Sequence, residues 1–161
     1  MVLPSAFDPK RTCFEAFGPN GRTSSTTEYT DAMDAYAVIS KNHPWSGEFD
    51  LTSFRACLYE NSTWSQAEYW KVEWALFQLV ATAAADAELR SRVFRLFSAT
   101  YALFAAHFDS DDVYTIDGIG AEGLRASMER FQLVFEGFFA GEMPNLAAAF
   151  DEPNPLLQAG R

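Results

Sequence analysis

The stretch Ser65–Ala85, SQAEYWKVEWALFQLVATAAA, decides the fold of this chain. Its apolar residues recur at helical spacing on two sides, with Trp70, Trp74, Phe77 and Ala81 on one and Tyr69, Val72, Leu76 and Leu79 on the other. A helix that is apolar around most of its circumference belongs at the centre of a helical bundle. Ser65 and Glu68 have the spacing of a capping box, which predicts that this helix begins at Ser65.

Two long helices are predicted to follow the central one. The first has Asp86 as its N-cap and carries an apolar stripe that ends at His107. The second runs from about Ala121 to about Ala140, and Gly141 stops it.

Two shorter elements are predicted before the central helix. Asp50 is expected to be the N-cap of a short helix that runs to about Glu60. The segment Tyr36–Ile39 fits either a helix or a strand, with the helix preferred. A loop around Pro44 separates these two elements, because proline disfavours a helical residue before it.

Together these elements predict a mainly α fold, a bundle of about four to five helices with an irregular N-terminal segment. The chain has 161 residues, which fits a single domain over 1–161. Residues 1–27 are rich in turn-forming and polar residues and are expected to be irregular. Residues 28–143 are expected to form the helical core, and residues 144–161 a turn of helix and a loose tail.

The net charge of −10 excludes two classes of partner. A nucleic-acid binder needs a basic face for the phosphates, and a protein that binds anionic lipid needs one for the membrane surface. The longest stretch of low charge, Trp74–Ala85, is shorter than the roughly 20 residues that cross a bilayer. The start of the sequence shows no secretory signal, so we expect no membrane contact and a cytoplasmic protein.

The residues that usually carry chemistry are sparse. The two histidines and two cysteines are not spaced as transition-metal ligands, so no metal or cofactor is expected. The run Asp109–Asp112 is similar to a calcium loop, but Tyr114 stands where that loop needs glycine. Cys13 and Cys57 are expected to be reduced thiols, with a single bridge between them as the alternative. No nucleophile motif occurs, and we expect a protein that is not an enzyme.

The acidic residues are concentrated outside the central helix. Residues 109–161 contain ten acidic and three basic residues, whereas residues 63–108 contain four of each. Loop position and charge together predict the residues that bind a partner, which are Trp45, Glu48, Asp50, Asp109, Asp111, Asp112, Tyr114 and Asp117. Such a negative field would steer a basic protein partner into contact, and a merely solvated acidic surface is the alternative.

Four short motifs resemble those of the immunity proteins of bacterial contact-dependent inhibition and related polymorphic toxin systems. They are Asn42–Phe49, Trp70–Leu76, His107–Phe108 and Glu129–Phe131, and the resemblance covers about residues 36–140. It implies a cytosolic protein that binds and neutralises one cognate toxin domain. Many such toxins are nucleases with basic active sites, which an acidic inhibitor can cover.

The expected function is therefore that of a non-enzymatic immunity protein whose partner is a basic toxin domain. The alternatives are an acidic secretion chaperone, which a dimer with strong β content would favour, and a small enzyme. A buried histidine beside a thiol or hydroxyl would favour the enzyme. The sequence predicts neither the oligomeric state nor the toxin's substrate.

Overall fold

The computed structural model describes residues 33–158, in which the chain forms seven helices. In chain order they are α1 (Ala35–Lys41), α2 (Phe54–Asn61), α3 (Gln66–Ala83), α4 (Ala87–Phe108), α5 (Ala121–Ala140), α6 (Leu146–Ala149) and α7 (Pro155–Gln158). The mainly α prediction is confirmed, and Tyr36–Ile39 belongs to a helix. The irregular segment predicted for residues 1–27 lies outside the described residues, as does Cys13.

Helix α3 is the centre of the bundle, as its sequence predicts. It contacts α1, α2, α4, α5 and α7. Tyr69, Val72 and Leu76 are completely buried on one side of it. The second apolar side is covered less well, because Trp70 and Trp74 are only partly buried and Ala81 is exposed.

One predicted helix cap is wrong, and another is at the predicted residue but lacks the predicted hydrogen bonds. The N-cap of α2 is Ser53, because the Asp50 carboxylate instead accepts hydrogen bonds from the backbone and hydroxyl of Thr52, both at 2.8 Å. Ser65 stands at the N-cap of α3, but its side chain makes no capping hydrogen bond. The expected capping box does not form, because Glu68 pairs with Lys71 at 2.6 Å instead.

The cap of α4 is as predicted. Asp86 Oδ1 accepts a hydrogen bond from the Leu89 backbone N–H at 2.8 Å, which satisfies one of the free donors of the first turn. The C-terminus of α5 also lies where the sequence predicts it, because Gly141 adopts a left-handed conformation with φ of 82° and ends the helix.

Helices α4 and α5 run side by side in opposite directions, and aromatic rings fill the space between them. Phe97 stacks on Phe131 with 5.7 Å between ring centres, and Phe94 meets Phe139 near the C-terminal end of α5. Near its N-terminal end, Arg125 lies over Phe108. These contacts place the end of α4 beside the beginning of α5.

The last described residues are attached to the bundle, although the sequence predicted a loose tail there. Asn154 is buried and donates a hydrogen bond to the Trp70 carbonyl of α3 at 3.0 Å. Helix α7 follows directly and contacts α3. No helix among residues 33–158 is both long enough and apolar enough to span a membrane.

Candidate partner-binding surface

The loop between α4 and α5 presents four exposed carboxylates, on Asp109, Asp111, Asp112 and Asp117. Two of them also shape the backbone. Asp109 Oδ1 accepts the N–H of Asp111, and Asp112 Oδ1 accepts the N–H of Tyr114, both at 2.9 Å. Aspartate is favoured in such turns because its short side chain can bond the backbone two residues further on.

Two hydrogen bonds attach the middle of this loop to the bundle. The backbone N–H of Ile116 donates to His107 Nδ1 at 2.9 Å, and the Tyr114 hydroxyl donates to the Leu58 carbonyl of α2 at 2.6 Å. The Ile116 side chain is buried below them. Burial raises the pKa of Tyr114 to about 12.

The end of the loop is held by a short backbone bridge. The Asp117 N–H donates to the Ser62 carbonyl at 2.7 Å, and the Asp117 carbonyl accepts from the Trp64 N–H at 2.9 Å. Gly118 then turns the chain with φ of 84°, a conformation that residues with a Cβ rarely adopt. The backbone is thus fixed while the Asp117 carboxylate remains in solvent.

An exposed apolar side chain stands among these carboxylates. Val113 is 97% exposed, directly after Asp112. Asp109, Asp111, Asp112, Val113 and Asp117 together are called the acidic surface below. Polar or charged rims around apolar contacts are typical of protein interfaces.

The apolar part of this region is not among the residues predicted from the sequence. Val113 could have been found as a lone apolar residue in a run of acids. Two further exposed rings belong to the elements that hold the loop: Phe108 is the last residue of α4, and Tyr59 of α2 follows Leu58, whose carbonyl accepts the Tyr114 hydroxyl. Neither stands out in the sequence, because both follow helical spacing that also fits buried positions.

The predicted site residues do not all come together. Trp45, Glu48 and Asp50 lie in the loop between α1 and α2, and Trp45 contacts Arg95 in the first half of α4. Arg95 precedes Asp109 by about 21 Å along the helix, at 1.5 Å of rise per residue. Trp45 therefore lies apart from the acidic surface. Hydrogen bonds from the backbone and the hydroxyl of Thr52 lower the pKa of Asp50.

Tyr114 has a different position from the other predicted residues. It is half-buried, and its hydroxyl donates a hydrogen bond to the Leu58 carbonyl inside the protein. In this structure it supports the loop that carries the carboxylates.

The described residues offer little that resembles a catalytic or metal centre. No group of three or more His, Cys, Asp or Glu side chains among residues 33–158 is placed to hold a metal ion. The carboxylate of Glu73, which is completely buried, is bonded by Arg130 and Asn154. His107 accepts the Ile116 N–H described above.

Comparisons of the chain with protein families, with curated proteins and with solved structures found no match. The resemblance to immunity proteins therefore stays a prediction from sequence. Support for a function therefore has to come from the arrangement of the described residues.

Proposed function

We propose that this protein is a non-enzymatic immunity protein that neutralises a cognate toxin domain, and that the acidic surface contacts a basic region of that toxin. The observation that supports it is the firmly held loop, which presents four exposed carboxylates and the exposed Val113. A loop that is already ordered loses less conformational entropy on binding than a mobile one.

Charge explains how such a surface would act. The field of several carboxylates attracts a basic partner before contact and raises the association rate, and salt weakens this attraction. Once the complex forms, Val113 adds apolar contact at short range, where water is excluded. A nuclease active site is basic because it binds phosphates, so a set of fixed carboxylates suits it.

The decisive experiment is co-expression with a candidate toxin. The tagged full-length protein is produced together with the C-terminal domain of a large exported protein encoded beside it. We expect a stoichiometric complex and relief of growth arrest. A well-folded protein that gives neither complex nor relief would contradict the proposal and favour the chaperone or enzyme alternatives.

A charge variant tests the role of the acidic surface itself. Asparagine in place of Asp109, Asp111 and Asp112 removes three charges but keeps the side-chain oxygens that accept backbone hydrogen bonds. We expect the fold to persist and the association rate to fall roughly tenfold or more at low salt.

The matched control removes three exposed carboxylates elsewhere, with Glu129→Gln, Glu142→Gln and Asp151→Asn. It changes the net charge equally, so it should slow association much less if position matters. Equal slowing by both variants, or rates that do not respond to ionic strength, would contradict a specific role for the acidic surface.

A further inference from the structure

A second charged region lies on the first half of α4, and its sign is opposite to that of the whole protein. It contains His43 and Trp45 from the loop after α1, Arg55 from α2, and Arg92 and Arg95 from α4. We call these five residues the basic cluster. The sequence gives no sign of it, because residues 63–108 have balanced charge and the fold gathers the cations from three elements.

Ring contacts define the centre of the basic cluster. The Arg95 guanidinium carbon is 5.8 Å from the centre of the Trp45 ring, and His43 meets the same ring edge-on at 5.6 Å. A guanidinium over an indole face is a favourable cation–π arrangement that also holds the arginine in place. Hydrogen bonds place the other two arginines beside the same loop, because Arg92 donates to the Ser40 hydroxyl and the Arg55 backbone N–H donates to Asn42. Burial, and then the charges of these arginines, lower the pKa of His43.

Hydrogen bonds to α1 and α2 hold the loop that carries His43 and Trp45 in place. Asn42 is buried, donates to the Val38 carbonyl at 2.8 Å, and accepts the backbone N–H of Arg55 at 2.9 Å. The Ser46 hydroxyl donates to the Ser40 carbonyl at 2.6 Å. Trp45 is therefore presented by an ordered loop, although 73% of its surface is exposed.

Part of the positive charge is not neutralised within the described part of the chain. Arg92 pairs with Glu88 and donates to the Ser40 hydroxyl at 2.9 Å. Arg55 and Arg95 make no salt bridge to any residue between 33 and 158. Among the described residues, Arg95 is exposed and Arg55 is partly buried.

We propose that the basic cluster binds an acidic segment of a protein partner, with carboxylates at Arg55 and Arg95 and an apolar side chain on the ring of Trp45. Tryptophan and arginine are the residue types most enriched where binding energy concentrates in interfaces. The inference does not depend on the proposed function, because it concerns another surface and a partner region of opposite charge.

Two observations favour a peptide over free phosphate or nucleic acid. The net charge of −10 repels polyanions at long range, whereas a short acidic segment carries fewer charges. The cluster exposes the ring of Trp45, of which 73% is accessible, and an inorganic ion cannot use this ring but an apolar side chain can.

The experiment follows the indole N–H signal of Trp45 in the nitrogen-15 spectrum of the full-length protein. The signal is assigned with the variant Trp45→Phe. The probe is a synthetic peptide of glutamate and leucine residues, and a second peptide has glutamine in place of glutamate. We expect a saturable shift with the acidic peptide and at least tenfold weaker binding of the glutamine peptide.

Arginine variants locate the site. Arg55→Gln and Arg95→Gln should each weaken binding of the acidic peptide several-fold, because each removes a charge-assisted hydrogen bond. Arg125→Gln is the matched control, since Arg125 also lies over an aromatic ring, Phe108, but far from Trp45. It should leave the affinity unchanged.

Several outcomes would overturn the proposal. They are the absence of a shift at Trp45, equal binding of the glutamine peptide, and affinity that is unaffected by Arg55→Gln and Arg95→Gln. Inorganic phosphate that saturates the same signal as tightly as the peptide would instead identify a site for free oxyanions. The two arginine variants keep the test valid even if Trp45→Phe does not fold.

Discussion

Glu73 of α3 and Arg130 of α5 form a two-pronged ion pair inside the bundle. Arg130 Nε donates to Glu73 Oε2 and Arg130 Nη2 to Glu73 Oε1, both at 2.7 Å. Asn154 donates to the same Oε1 at 3.0 Å, and Arg130 also bonds the Glu152 carbonyl. The pair therefore joins α3, α5 and the C-terminal segment. Burial opposes the charge of Arg130, but Glu73 outweighs this and the pKa of Arg130 lies above its ordinary value.

Removing the charge of Glu73 should destabilise the fold strongly. The substitution Glu73→Gln keeps the shape of the side chain but leaves Arg130, which is 4% exposed, without its counterion. Breaking one partner of a buried ion pair costs about 3–5 kcal/mol of the free energy of unfolding. Urea denaturation followed by circular dichroism measures this change.

The control for this prediction replaces both partners, as Glu73→Leu with Arg130→Met. We expect it to recover much of the lost stability, because apolar residues can replace a buried ion pair at little net cost. If the free energy of unfolding of Glu73→Gln lies within about 0.5 kcal/mol of that of the original chain, the ion pair does not stabilise the fold.

Tyr114 should anchor the loop that carries the acidic surface through its hydroxyl. The substitution Tyr114→Phe leaves the Leu58 carbonyl without this donor, and we expect a loss of about 0.5–1.5 kcal/mol in the free energy of unfolding. Tyr59→Phe is the control, since Tyr59 is exposed and its loss of a hydroxyl should change stability little.

The raised pKa of Tyr114 gives a second readout. In the folded protein the Tyr114 hydroxyl keeps its proton up to about pH 12, whereas in the unfolded chain it loses the proton near pH 10.0. The contribution of Tyr114 to stability is therefore complete below pH 10.0 and is lost as the pH rises toward 12. Phenolate absorbance of the original chain minus that of Tyr114→Phe should show this late ionisation, and a difference curve centred near 10.0 would contradict the burial.

The sequence predicts what depends on local pattern. The bounds of α5 match the prediction because apolar spacing and Gly141 both mark them. The cap of α2 was wrong because Asp50 and Ser53 are both good capping residues, and only the fold decides which one the helix uses. The pattern of α3 placed Glu73 on a mostly apolar helix, but its partner Arg130 is 57 residues away and cannot be found from spacing.

The candidate site divides in the same way. The four carboxylates of the acidic surface were predicted because exposed aspartates after a helix are visible in the sequence. The position of Trp45 among arginines was not, since Arg55 and Arg95 come from two helices that only the tertiary structure brings together. A count of charges along the sequence does not reveal charged residues that only the fold brings together.

Gly137 should be required where α5 meets the turn that follows it. A Cβ there would lie 2.6 Å from Pro144 Cδ and 2.8 Å from the Glu142 carbonyl oxygen, so backbone would have to move. We expect Gly137→Ala to lower the free energy of unfolding by about 1–3 kcal/mol, as overpacking does. Thermal or urea unfolding checks it.

Gly123 offers a control in the same helix. A Cβ at Gly123 meets only the flexible side chain of Ile119, at 3.0 Å, and alanine is the better helix former. We expect Gly123→Ala to be neutral or slightly stabilising. Equal losses from both variants would mean that the helix, and not the contact with Pro144, is what resists the change.

His43 should make stability depend on pH just below neutrality. Burial, and then the charges of Arg92, Arg95 and Arg55, lower its pKa below the ordinary 6.5. As the pH falls through 6.5 the unfolded chain binds a proton at this residue and the folded protein does not, so the free energy of unfolding decreases. Asp50 and Asp86 have lowered pKa values too, but their contribution is lost only below 3.8.

The two histidines of the chain make this titration simple to follow by NMR. The signal of His43, assigned with His43→Gln, should titrate below 6.5, and Arg92→Gln should raise its pKa because one of the neighbouring cations is gone. His43→Gln should also reduce the loss of stability between pH 7 and pH 5, since that variant has no imidazole to protonate. A pKa of His43 at or above 6.5, unchanged by Arg92→Gln, would mean that the arginines do not gather around this ring.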